Sequence, residues 1–213
     1  MTKSTGRDQQ MRARIAQEAA RLMAEEGVQD YYAAKRKAAQ HLGAPDTRNM
    51  PRNNEVEAAL EAYQRLFRGE QQAAHLQSLR AGAVQAMRFL ADFNPRLVGS
   101  VLSGTAGQHA DIHLHLFADT PEDVSLFLME ANIPFRSSHK RMRIGREEWQ
   151  EFPSCEFLAG DHAVDLVVFP REGRREAPRS PVDGKPMQRA GLQEVERLLD
   201  ETPAGREASG MTN

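Results

Sequence analysis

Apolar positions recur at two different periods along this chain, and the change of period divides it. In the first ninety residues they fall three and four apart. Ile15, Ala19, Leu22 and Met23 form one stripe that ends near Gly27. A second helix is predicted from about Asp30 to Leu42, stopping at Gly43. The stretch APDTRNMPRNN, with two prolines and several turn formers, reads as a connector. Val56, Leu60, Tyr63 and Phe67 mark a third helix that breaks at Gly69. Leu76, Leu79, Val84, Met87 and Leu90 mark a fourth, from Gln71 to Phe93.

After Asn94–Pro95 the period drops to two. RLVGSVL, IHLHLF, CEFLA and AVDLVVF read as strands. A helix from about Pro121 to Ala131 interrupts them, with Thr120 suited to the N-cap and Pro121 to the first helical position. Ile133 to Ile144 is predicted as an extended basic strand. Beyond Phe169 the segment PREGRREAPRSPVDGKPM reads as a loop or partly disordered arm. A short helix from about Gln188 to Asp200 and a frayed tail follow. Helices followed by strands make the fold class α+β: an N-terminal helical region and a small α/β domain with a mixed sheet, centred on 97–169.

Composition narrows the picture only modestly. The 213 residues are 40% hydrophobic and 27% charged, with a net charge of −2. That balance is globular and argues for no general affinity for nucleic acid or membrane. No apolar run is long enough to span a bilayer. The polar start MTKSTGRDQQMRAR lacks a signal core, so a soluble, cytoplasmic protein without a membrane partner is expected. The single cysteine, Cys155, excludes an internal disulfide and a cysteine-based zinc cluster within one chain.

Candidate chemistry lies where the strands begin. Side chains two apart on a strand share a face. Ile112, Leu114 and Leu116 then point into a core, while Asp111, His113 and His115 line the opposite face. In VDLVVF, Leu166 and Val168 suit the core and Asp165 points the other way. If these strands are neighbours, Asp165 meets Asp111 and His113, a carboxylate and imidazole set able to hold a cation. Upstream, Gly99-Ser100 ends a strand, and it and the small residues of SGTAGQHA permit close backbone approach to a phosphate, although a plain turn explains them equally well.

Taken together, Gly99-Ser100, ten intervening residues, Asp111 in an apolar strand and Asp165 in a later one resemble the nucleotidyltransferase superfamily. The resemblance spans about Gln71 to Phe169. It makes 71–170 a nucleotidyltransferase-like domain, set between the helical region over 1–70 and the basic loop, short helix and flexible tail over 171–213 that the residue pattern gives. It further implies that Gly99 and Ser100 hold the phosphates of a nucleoside triphosphate. Asp111, His113 and Asp165 would bind a divalent metal, Mg or Mn. Asp111 and Asp165 would be the catalytic carboxylates, with Asp165 helping to activate an attacking hydroxyl. The implied reaction moves a nucleotidyl group to a hydroxyl acceptor, which could be RNA, a protein or a small molecule. His113 stands where the superfamily has a second carboxylate. That leaves open a scaffold that binds nucleotide or RNA with weakened catalysis.

A rival reading takes His109, Asp111, His113 and His115 as ligands of a metal-dependent hydrolase. Four ligands on one extended strand would span roughly 20 Å, so only two or three could share an ion.

Three basic clusters complete the inventory. They are Lys35, Arg36 and Lys37 with Arg48 and Arg52; Arg136, Lys140, Arg141, Arg143 and Arg146; and Arg171, Arg174, Arg175, Arg179, Lys185 and Arg189. Each is either a solvated face or a phosphate contact. Arg141 and Arg143 of the middle cluster are the candidates for nucleotide phosphates.

Overall fold

The change of period becomes a change of architecture. A computed structural model describes residues 6–45, 47, 49–67, 69–145 and 148–201. Arg48, Arg146 and the tail from 202 onward lie outside the described residues, as does the start of the chain. The chain forms two compact units. One comprises 1–72 with 105–110 and 181–183; the other comprises the remainder.

The first unit is helical. Helices α1 (Gly6–Glu26), α2 (Tyr31–His41) and α3 (Asn53–Phe67) pack through Ile15, Ala16, Ala19 and Leu22 against Ala34, Ala38, Ala39 and Val56. Alanines at these contacts let the helix axes approach closely. Asp30 caps α2 by accepting from Ala33 N at 2.7 Å. Gly27 ends α1 as expected, with φ of +70°. A Cβ there would come within 2.8 Å of His109 Cδ2, so the position is glycine for both reasons.

The second unit takes most of helix α4 (Gly69–Phe89) and a five-stranded mixed sheet in the order β1-β2-β5-β4-β3. The strands are β1 (Arg96–Val98), β2 (Ile112–Ala118), β3 (Phe135–Ile144), β4 (Glu148–Ala159) and β5 (His162–Pro170). Only β2 and β5 run parallel; the other pairs are antiparallel. One sheet face buries Leu97, Ile112, Leu114, Leu116, Val164, Leu166 and Val168. Gly82 lets α4 approach it, since a Cβ there would meet Ile112 Cδ1 at 3.2 Å. Helices α6 (Pro121–Glu130) and α7 (Leu192–Asp200) contact the same sheet. Thr120 N donates to Asp123 Oδ2 at 2.9 Å at the start of α6, which accounts for the predicted start.

The expectations differ from the structure in three places. RLVGSVL is not one strand: β1 stops at Val98, and Gly99–Ser103 is a short helix, α5. The basic strand is half of a long β3–β4 hairpin that begins pairing at Glu148, well before CEFLA. The arm after Phe169 is folded. It opens with a 3-10 turn over Arg171–Arg174 and carries an isolated bridge between Arg179 and Pro186. Arg179 Nε donates to Gly145 O at 2.7 Å, which ties the arm to the hairpin turn. Backbone hydrogen bonds hold this proline-rich stretch where apolar periodicity has no voice.

Candidate functional site

The parallel pairing of β2 and β5 sets the geometry. It places His113 opposite Asp165, His115 opposite Val167 and Phe117 opposite Phe169. Opposed residues share a sheet face, so His113 and Asp165 point the same way. His113 Nδ1 lies 2.9 Å from Asp165 Oδ2. Lys140 reaches across from β3 and donates to the same oxygen. The Asp165 side chain is only 8% exposed. Burial opposes its ionisation, but the hydrogen bonds from His113 and Lys140 outweigh it and hold the carboxyl below its ordinary value. Asp165 is therefore a fixed buried anion with two donors. Glu156 of β4 is its neighbour on the other side, and its side chain is exposed.

Gly99 stands beside this pair. Its φ of +73° turns the chain from β1 into α5, and a Cβ there would lie 3.5 Å from His113 Cδ2. Ser100 is half-buried at the same turn. Asp111 is half-buried and immediately precedes β2, whose ladder begins at Ile112. The structure thus brings Gly99, His113 and Asp165 together, and Asp111 sits at the mouth of the strand rather than within it.

The polar strand face needs correction at His115. This residue is 1% exposed and its ring lies 4.7 Å from that of Phe169. Arg189 Nε donates to its Nδ1 at 3.0 Å, which requires the neutral ring. Burial, then the charge of Arg189, lowers its pKa to about 3. Beyond it the same face is apolar, with Phe117, Phe152, Val167 and Phe169 packed together. The four-residue series does not act as one ligand set. His109 belongs to the helical unit, where its ring lies against Gly27 and its carbonyl accepts from Gln29.

Among the described residues, no three His, Cys, Asp or Glu side chains are grouped to hold one metal ion. Asp111 and Asp165 offer hard oxygens, but His113 offers nitrogen and spends Nδ1 on Asp165. Lys140 shares the same Asp165 oxygen, so these side chains do not by themselves assemble a protein-held metal site.

Arg141 and Arg143 alternate with Lys140 on β3 and so lie on its opposite face. Arg141 stacks over Trp149, with its guanidinium 5.2 Å from the ring centroid. The site residue that sequence reasoning placed only in a charge cluster is Lys140. Its signal was the two-residue alternation within that cluster, which separates it from Arg141 and Arg143. In the first basic cluster, Lys35 donates to Asn53 Oδ1 at 2.7 Å and Lys37 pairs with Glu26, so both serve helix packing. Cys155 is buried and its thiol is pushed up by burial, which makes it a poor nucleophile.

No protein-family model and no curated protein matches this chain. No helix among the described residues is long and apolar enough to cross a membrane.

Proposed function

We propose that this chain is a nucleotidyltransferase that binds a nucleoside triphosphate beside His113 and Asp165 and passes its nucleotidyl group to a hydroxyl acceptor. The observation that supports this reading is the pairing of His113 with Asp165 across parallel strands, next to the left-handed turn at Gly99. Backbone at Gly99 and Ser100 receives the phosphates, because no side chain at 99 stands in the way. A divalent ion, Mg or Mn, would take ligands from Asp111 or Asp165 together with the phosphate oxygens and would supply charge stabilisation on the phosphoryl groups. Asp165 stays ionised and accepts a hydrogen bond from the attacking hydroxyl, whose oxygen bonds to the α-phosphorus as the α–β bridging bond breaks and pyrophosphate leaves, the hydroxyl proton passing to Asp165. Lys140 offsets the charge of Asp165 and keeps it from repelling the incoming phosphates.

One feature favours a second reading, in which nucleotide binds without turnover. Lys140 already occupies Asp165, and His113 supplies no second negative charge. The deciding experiment incubates the chain with labelled nucleoside triphosphates, Mg²⁺ or Mn²⁺, and cell extract as acceptor. Transfer that disappears in Asp165→Ala and Asp111→Ala supports the first reading. Nucleotide binding without transfer under either metal supports the second. Full transfer by both variants overturns the site.

A further inference from the structure

The late basic arm has no part in the site above, yet its arginines converge. Arg171, Arg174, Arg175 and Arg189 line one cavity of about 760 Å³ together with Arg96 of β1 and the ring of Phe117. Among the described residues of the lining, Glu172 alone is acidic. Phe117 is four residues beyond His113 on β2, roughly 13 Å along the strand, so the cavity is at the other end of the sheet face.

Arg189 is built in rather than dangling. Its guanidinium stacks 5.1 Å from the Phe117 centroid and 5.0 Å from that of Phe169. Nε donates to His115, and Nη1 donates to Gly173 O at 2.8 Å and Glu176 O at 3.3 Å. Nη2 is buried and has no hydrogen-bond partner among the described residues. An unsatisfied buried donor is unfavourable until an acceptor reaches it. Burial, then the charge of Arg96, lowers the Arg189 pKa to about 10. Arg171 makes a surface pair with Asp119, at 2.7 Å between groups about two-thirds exposed. Such a pair exchanges readily for a stronger anion.

We propose that this arginine cavity is a second site, which binds a small anion carrying two or more phosphoryl groups. Five guanidiniums against one carboxylate call for several negative charges on the ligand. Planar forks match phosphate oxygens two at a time. The size of the cavity suits a nucleotide-sized molecule, not an extended polymer. The site stands on its own residues and does not depend on nucleotidyl transfer.

The test measures binding of tripolyphosphate and of a nucleoside triphosphate to the full chain by calorimetry without divalent metal. It uses wild type, the double variant Arg174→Glu/Arg175→Glu, and Asp165→Asn. Both exchanged arginines are exposed, so the fold should persist, and circular dichroism checks it. Tripolyphosphate is expected to bind wild type and Asp165→Asn alike, and at least tenfold more weakly to the arginine variant. Tighter binding of the nucleoside triphosphate at the same arginines identifies a nucleotide as the source. Equal binding identifies phosphate alone. No binding to wild type, equal binding to the arginine variant, or loss in Asp165→Asn alone overturns the proposal. So does an oligoribonucleotide that needs these arginines when tripolyphosphate does not bind.

Discussion

Asp165 and His115 show how the same sheet face treats two titratable side chains in opposite ways. Asp165 has a lowered pKa in the folded chain, against an unfolded value of ~3.9. Its contribution is present above that unfolded value and is lost as pH falls through the folded one. Asp165→Asn is expected to cost about 1–3 kcal/mol at neutral pH, because charge-assisted bonds from His113 and Lys140 weaken. Chemical denaturation at pH 7 and in strong acid checks this; a cost that persists unchanged in acid contradicts it. His115 is buried neutral, with a pKa of about 3 against ~6.5 unfolded. The unfolded chain takes up its proton first, so stability falls as pH drops from ~6.5 towards about 3. The slope from this residue is at most about 1.4 kcal/mol per pH unit. His115→Gln keeps an acceptor for Arg189 and should flatten that limb of a stability-against-pH curve. Alternation alone put His115 beside His113 in a polar row. It could not reveal that an arginine 74 positions later covers one and not the other.

At the scale of elements, the β1–α5 turn and the three-helix packing are the most exposed to single changes. Gly99 has φ of +73°, where a Cβ is strained even though space exists beside His113. Gly99→Ala should cost about 1–2 kcal/mol, read as a lowered denaturation midpoint with an unchanged slope. Ala38 of α2 is fully buried against α1 and α3. Ala38→Leu adds volume where the helices meet and is expected to cost about 1–3 kcal/mol. The helical stripes were readable because 3.6-residue periodicity is local and each stripe names its own buried face. Ile15, Ala19 and Leu22 are all core. The break at Val98 was marked by Gly99-Ser100 but not by the apolar run, because GSVL is as apolar as a strand and the left-handed φ at Gly99 is a backbone choice that periodicity does not record. The early start of β4 was hidden for a related reason. Glu148 to Glu151 is exposed, Trp149 included, and its pairing rests on backbone bonds to β3 rather than on burial.

For the whole molecule, a net charge of −2 hides a concentration of arginines in one cavity of the sheet-bearing unit. Tripolyphosphate affinity should therefore fall several-fold between low salt and about 0.3 M, while the global stability of the chain changes little. Titration at two ionic strengths checks this, and a salt-independent affinity would count against an arginine-held anion. Sequence alone determined the helix-then-sheet order, the core face of β2 and β5, and that Asp165 points away from that core. These follow from local periodicity and from the aversion of a carboxylate to apolar surroundings. Tertiary structure decided which strands are neighbours. Only the β2–β5 register sets His113 against Asp165. Only the β3–β4 hairpin brings Lys140 to the same oxygen while turning Arg141 and Arg143 away. Only the return of the late arm encloses Arg189 with Arg96. Such contacts join residues far apart in the chain, and no local pattern encodes which distant partner a polar side chain will meet.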